Sequence, residues 1–183
     1  MTIYQEVSHA ISRIMNIDCI DSTTKAKWQS EYQSGWPELR AKGSGLSPAE
    51  LLVQDCMTRA ALHRALSPLQ WHMLVAKYSA NRADAAASIT WLATRIESPA
   101  HNYFKLKCVS AWAMPKVRGL YGSTARAAGL PDAFYSISTW DHDGRPEGTL
   151  RRWRVITKKW LEDRLTESLA AAAIVVSDGG LID

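Results

Sequence analysis

The stretch running from Ser47-Pro48-Ala49-Glu50 to Ser67-Pro68-Leu69-Gln70 decides the fold class of this 183-residue chain. In both tetrads Ser supplies an N-cap oxygen and Pro, at the first helical position, forfeits no hydrogen bond. Glu50 and Gln70 stand three residues after their caps, where a side chain can reach back to the cap N–H and close a capping box. The pair predicts helices over about 48–66 and 68–79. Working outward, Ser98-Pro99 predicts a helix over 99–114 that Pro115 stops, and 82–96 carries Ile89, Leu92 and Ile96 on one stripe. Ile3, Val7, Ala10, Ile11 and Ile14 share a face of a first helix ending near Asn16. The last and longest helix should start near Glu147 or Thr149 and run to about Ser177, before Gly179 and Gly180. Its apolar stripe reads Leu150, Trp153, Ile156, Trp160, Leu161, Leu165, Leu169, Ala172 and Val176. Only residues 134–140 offer a short strand candidate. The expected fold is all-α, a compact multi-helix domain.

Residues 1–45 read as an N-terminal helix and a partly ordered connector, with Trp28, Tyr32 and Trp36 as anchors; residues 46–183 read as the helical domain. The 46% apolar content and eight Trp support a real core, and no apolar run approaches the ~20 residues of a membrane span. The first twenty residues lack the basic start and continuous apolar run of a secretory signal, so the expected location is cytoplasmic. Cys19, Cys56 and Cys108 stand apart in odd number, which suggests neither a disulfide framework nor a zinc site.

Net charge is +4, but its distribution is uneven. Residues 98–161 hold eleven Lys/Arg against four Asp/Glu, and the remainder holds eleven against fourteen. Within the basic segment, 98–131 and 148–161 contain no acid at all. Concentrated positive charge is the electrostatic footprint of a phosphate-binding face.

Ser123-Thr-Ala-Arg-Ala-Ala-Gly129-Leu130 has the form of the first helix of a helix-turn-helix, within a region spanning about 120–165. Thr149-Leu-Arg-Arg-Trp-Arg154 is similar to a recognition helix that buries Leu150 and Trp153 and presents arginines outward. Arg suits phosphate and guanine edges because its fork donates two parallel bonds. A helix-turn-helix normally has a turn of about 3–4 residues, whereas residues 131–146 intervene here. Either 131–140 is itself the second helix and the arginine helix adds backbone contacts, or the insertion is a loop and the arginine helix reads DNA; the second is the working expectation. Expected DNA contacts are Lys116, Arg118, Arg126, Arg145, Arg151, Arg152, Arg154, Lys158 and Lys159. Against this stands a solvated basic face, and Trp153 and Trp160 fit core anchors better than base-stacking platforms.

Trp140-Asp141-His142-Asp143-Gly144 invites a metal-dependent nuclease, but adjacent residues need a third ligand from elsewhere, and the same sequence is good loop chemistry. His63, His72 and His101 are expected to be structural. No Ser/His/Asp, Cys/His or Gly-rich phosphate loop is recognisable, so no catalytic residue, metal or cofactor is expected.

Leu66–Tyr78 loosely resembles the opening of helical domains related to σ-factor region four. Ala76–Ser79, Ala111–Lys116, Phe134-Tyr135, Thr139–Asp143 and Thr149–Arg154 together resemble small helical proteins of tailed phages and prophages. With its size, basic half and apolar C-terminal end, the chain also resembles phage late-gene regulators of the Q antitermination type, although the zinc-ribbon cysteines of some members are absent. The resemblance implies a bacterial-host transcription regulator that binds promoter-proximal double-stranded DNA and loads onto RNA polymerase. The rivals are the nuclease and a phage protein that inhibits a host complex. The apolar half of the last helix also suits pairing with a second copy.

Overall fold

The computed structural model describes residues 4, 6–17, 46–115 and 130–182. Within them lie six α-helices: α1 (Val7–Ile14), α2 (Pro48–Ala65), α3 (Pro68–Tyr78), α4 (Arg82–Ala93), α5 (Asn102–Ala113) and α6 (Glu147–Asp178). Two 3-10 turns, Asp132–Tyr135 and Ile137–Trp140, precede α6, and the described residues contain no strand. No described helix is long and apolar enough to cross a membrane. The connector, Cys19, and the first helix of the expected helix-turn-helix up to Gly129 lie outside the described residues.

Both capping boxes form. Ser47 Oγ accepts from Glu50 N–H while Glu50 Oε2 accepts from Ser47 N–H, and Ser67 and Gln70 repeat the exchange. The third Ser-Pro pair behaves differently, because the residue three places after Ser98 is His101, which cannot complete a box. Helix α5 instead starts after His101, whose Nδ1 accepts from Phe104 N–H at 3.2 Å. Ser98 is used elsewhere: its Oγ accepts from Thr157 Oγ1 at 3.1 Å, which docks α6. Helix α4 is capped by Asn81 and ends at Ala93, so Ile96 enters the core from beyond the helix.

The main core joins α1, α3, α4 and the second half of α6 through Ile11, Ile14, Leu74, Leu92, Leu161, Leu165, Ala172 and Val176. The apolar C-terminal half of α6 is thereby a packing surface within the chain. A smaller core of Ala100, Phe104, Cys108, Trp140 and Leu150, with Trp153 against it, holds the first turns of α6. The expected stripe on α6 needs one correction. Two turns after Leu150 comes Thr157, which is buried with its hydroxyl bonded to Ser98, whereas Ile156 is 37% exposed. A search for apolar residues passes over a threonine whose hydroxyl has a buried partner.

Residues 134–140 are not a strand. Thr139 Oγ1 donates to the Ser136 carbonyl, Trp140 Nε1 donates to the Phe134 carbonyl, and Tyr135 Oη reaches the Met114 carbonyl. The first two bonds satisfy the paired 3-10 turns locally, the third ties them to the end of α5, and Trp140 is seated fully buried against the first turns of α6.

A polar knot fastens α1 to α2. Asp55, fully buried, accepts from Tyr4 Oη and from Arg13 Nε at 2.7 Å, and Tyr4 N–H donates to the Leu181 carbonyl. Burial first, and the Asp55 carboxylate second, push the Tyr4 hydroxyl well above its ordinary range.

Candidate nucleic-acid interface

With Leu150, Thr157 and Leu161 turned inward, the opposite face of α6 carries Arg151, Arg152, Val155, Lys158 and Lys159, all exposed. Val155 is 67% exposed, and the four cations stand at its i−4, i−3, i+3 and i+4 positions, the immediate neighbours on a helical surface. An apolar residue is thus ringed by four positive charges over about 12 Å of helix axis. Arg154 lies on the flank, its guanidinium carbon 5.6 Å from the Trp140 ring centroid. The ring ends where Glu162 and Asp163 begin.

Charge pairing separates these residues. Arg151 is held by Glu147 through Nε at 3.1 Å and Nη2 at 2.7 Å. Among the described residues, no carboxylate lies within ion-pair distance of Arg152, Arg154, Lys158 or Lys159. Cys108, on the neighbouring α5, feels both Arg154 and Lys158; its burial nevertheless dominates and pushes the thiol up to about 11. At the start of α6, Pro99, Pro146, Gly148, Thr149, Arg152 and Trp153 line an open groove of about 540 Å³. The N-cap residue there is Pro146, which offers no side-chain acceptor, so the first amides of the helix are left without a cap beside Arg152.

Arg145, expected among the DNA contacts, is paired within the chain. Its Nη1 sits 2.8 Å from Asp141 Oδ1 and 2.5 Å from Asp143 Oδ2, and its backbone N–H donates to Asp141 Oδ2 at 2.8 Å. That backbone bond, ahead of the side-chain contacts with Arg145 and His101, holds the Asp141 carboxyl below the usual carboxylate range. Lys116, Arg118 and Arg126 lie outside the described residues. Trp153 and Trp160 are half-buried and pack on the smaller and the main core respectively.

The structure supplies what the Asp-His-Asp loop lacked in sequence, a third group from elsewhere. His101 Nε2 lies 3.1 Å from Asp141 Oδ1, and ligand atoms of His101, Asp141 and Asp143 fall within 4.8 Å of one another. The hydrogen bonds nevertheless argue against a cation there. Phe104 N–H can only donate, so His101 Nδ1 accepts and the ring proton sits on Nε2, pointing at Asp141. A protonated Nε2 has no lone pair for a metal, and the Arg145 guanidinium already spans both carboxylates. The cluster works as a clip joining the start of α5 to the loop before α6. Sequence gave one hint of it: the unfinished box at Ser98 left His101 as the alternative cap.

No family model, curated protein or solved structure matches this chain.

Proposed function

We propose that this protein binds double-stranded DNA through the exposed face of α6 and acts as a phage-type transcription regulator, in the manner of a late-gene antitermination factor. The observation that carries the DNA reading is the ring of Arg151, Arg152, Lys158 and Lys159 around exposed Val155, in a stretch of helix with no acid between 148 and 161. A groove about 12 Å wide admits a helix, its two phosphate walls suit cations on both flanks, and an apolar centre suits thymine methyl groups. The clip at Asp141 and the buried Trp140 fix where α6 begins and so orient that face. The regulatory role rests on the sequence resemblance, with RNA polymerase as the protein partner.

Fluorescence anisotropy with duplex DNA across a salt series tests the DNA reading. Binding that weakens steeply with salt supports it; negligible affinity for every duplex at low salt overturns it. Arg152→Ala that relaxes preference at one base pair marks base readout, while uniform weakening across sequences marks a phosphate contact. Terminator read-through in a purified transcription reaction tests the regulatory role separately.

A further inference from the structure

Helix α2 is inverted relative to an ordinary surface helix. Its inner face buries Leu51, Leu62 and Leu66 but also Asp55 and Thr58, whose polar atoms are satisfied by Tyr4, Arg13 and the Gln54 carbonyl. Its outer face, directly opposite, presents Ala49, Val53, Cys56, Met57 and Ala60 to solvent, with Val53 58% and Met57 61% exposed. A surface helix normally keeps charged and polar residues on that side, and apolar stripes on both sides call for two packing partners. The main core supplies one.

From this inversion we infer that the outer stripe of α2 is the contact surface of a homodimer in which two α2 helices pack antiparallel about a two-fold axis near Met57. Charge selects the second copy as the occupant. The exposed charges at the two ends of the stripe are Glu50 and Arg64, seven residues before and seven after Met57. A two-fold axis at Met57 therefore sets each Glu50 against the partner's Arg64, and a self-complementary patch is what an isologous interface requires. Val53, four residues before Met57, then lies level with the partner's Ala61, beside the small side chain of Ala60, and the two Cys56 fall on one flank close to the axis. None of this depends on DNA binding.

Sedimentation equilibrium of the intact chain tests it. The expected mass is twice the 20.4 kDa of the chain, falling to the single value for Met57→Glu and for Val53→Glu, with helical circular dichroism unchanged. Arg64→Glu should weaken dimerisation roughly tenfold, because two exposed pairs turn repulsive in each dimer. Its effect should shrink in a Glu50→Gln background, where the capping box survives as it does with Gln70 and only the charge is gone. A short bis-maleimide should cross-link wild-type dimers and fail with Cys56→Ser. A wild-type monomer overturns the inference; a dimer undisturbed by both glutamate variants overturns it too, by placing self-association on another face.

Discussion

Replacing Arg152 and Lys159 together by Ala tests the α6 face with little risk to the fold, since both are exposed and neither has a carboxylate partner among the described residues. Such surface changes cost within about 0.5 kcal/mol. Under the proposed reading four cations with no carboxylate partner among the described residues, Arg152, Arg154, Lys158 and Lys159, would meet phosphate, while Arg145 and Arg151 are paired within the chain. Four neutralised phosphates give a slope of log affinity against log salt of about −3.6 on duplex DNA. Between about 50 and 200 mM KCl, wild-type affinity should then fall about 150-fold. The double variant retains two contacts, so its slope should be about −1.8 and its loss over the same range about 12-fold. Anisotropy titrations of a labelled duplex at several KCl concentrations give both slopes. A double variant that keeps the wild-type slope would refute the placement of DNA on this face, whatever its absolute affinity.

Glu147→Gln frees Arg151, and the same titrations should show a slope steeper by about 0.9 together with tighter binding at low salt. Arg145→Ala should lower the melting temperature, because Asp141 and Asp143 lose their shared cation, while leaving the salt slope unchanged; a shallower slope would return Arg145 to the DNA contacts. Asp55→Ala removes the buried carboxylate that Tyr4 Oη and Arg13 Nε share, and urea unfolding should register a loss of about 1–3 kcal/mol. Alkaline stability should report Tyr4. Its hydroxyl pKa is raised in the folded protein, so its contribution is complete below the unfolded value of about 10 and is lost as pH climbs above it. Urea midpoints for Tyr4→Phe should show a weaker fall in that range than wild type.

How much could be read ahead follows from where the determining bonds lie. Helices α2 and α3 were legible because each start is written within four residues, and the bonds of both capping boxes are local. The start of α5 was not, because His101 cannot complete a box with Ser98, whose hydroxyl instead accepts from Ala100 N–H and from Thr157, fifty-nine residues away in sequence, and no local pattern announces the second partner. The same bond hid Thr157 from the buried stripe and left Ile156 looking like core. The basic face itself was visible as an acid-free run. What sequence could not tell was the pairing: Arg145 and Arg151 look like Arg152 until the 3-10 turns at 132–140 and the start of α6 fix which carboxylates they meet. The Asp-His-Asp loop shows the same limit, since its third group, His101, comes from the start of α5 and meets Asp141 only through the fold.

Because α6 is one uninterrupted helix of 32 residues, held near its start by the smaller core and along its second half by the main one, its cationic face is rigid before any partner arrives. Many basic segments gain helical order only on contact with nucleic acid and forfeit part of their interaction energy to that ordering. Here the entropy of ordering the backbone is settled during folding, by buried side chains such as Leu150, Thr157 and Leu161. The thermodynamic signature should be association without a gain in helical circular dichroism and with a small heat-capacity change.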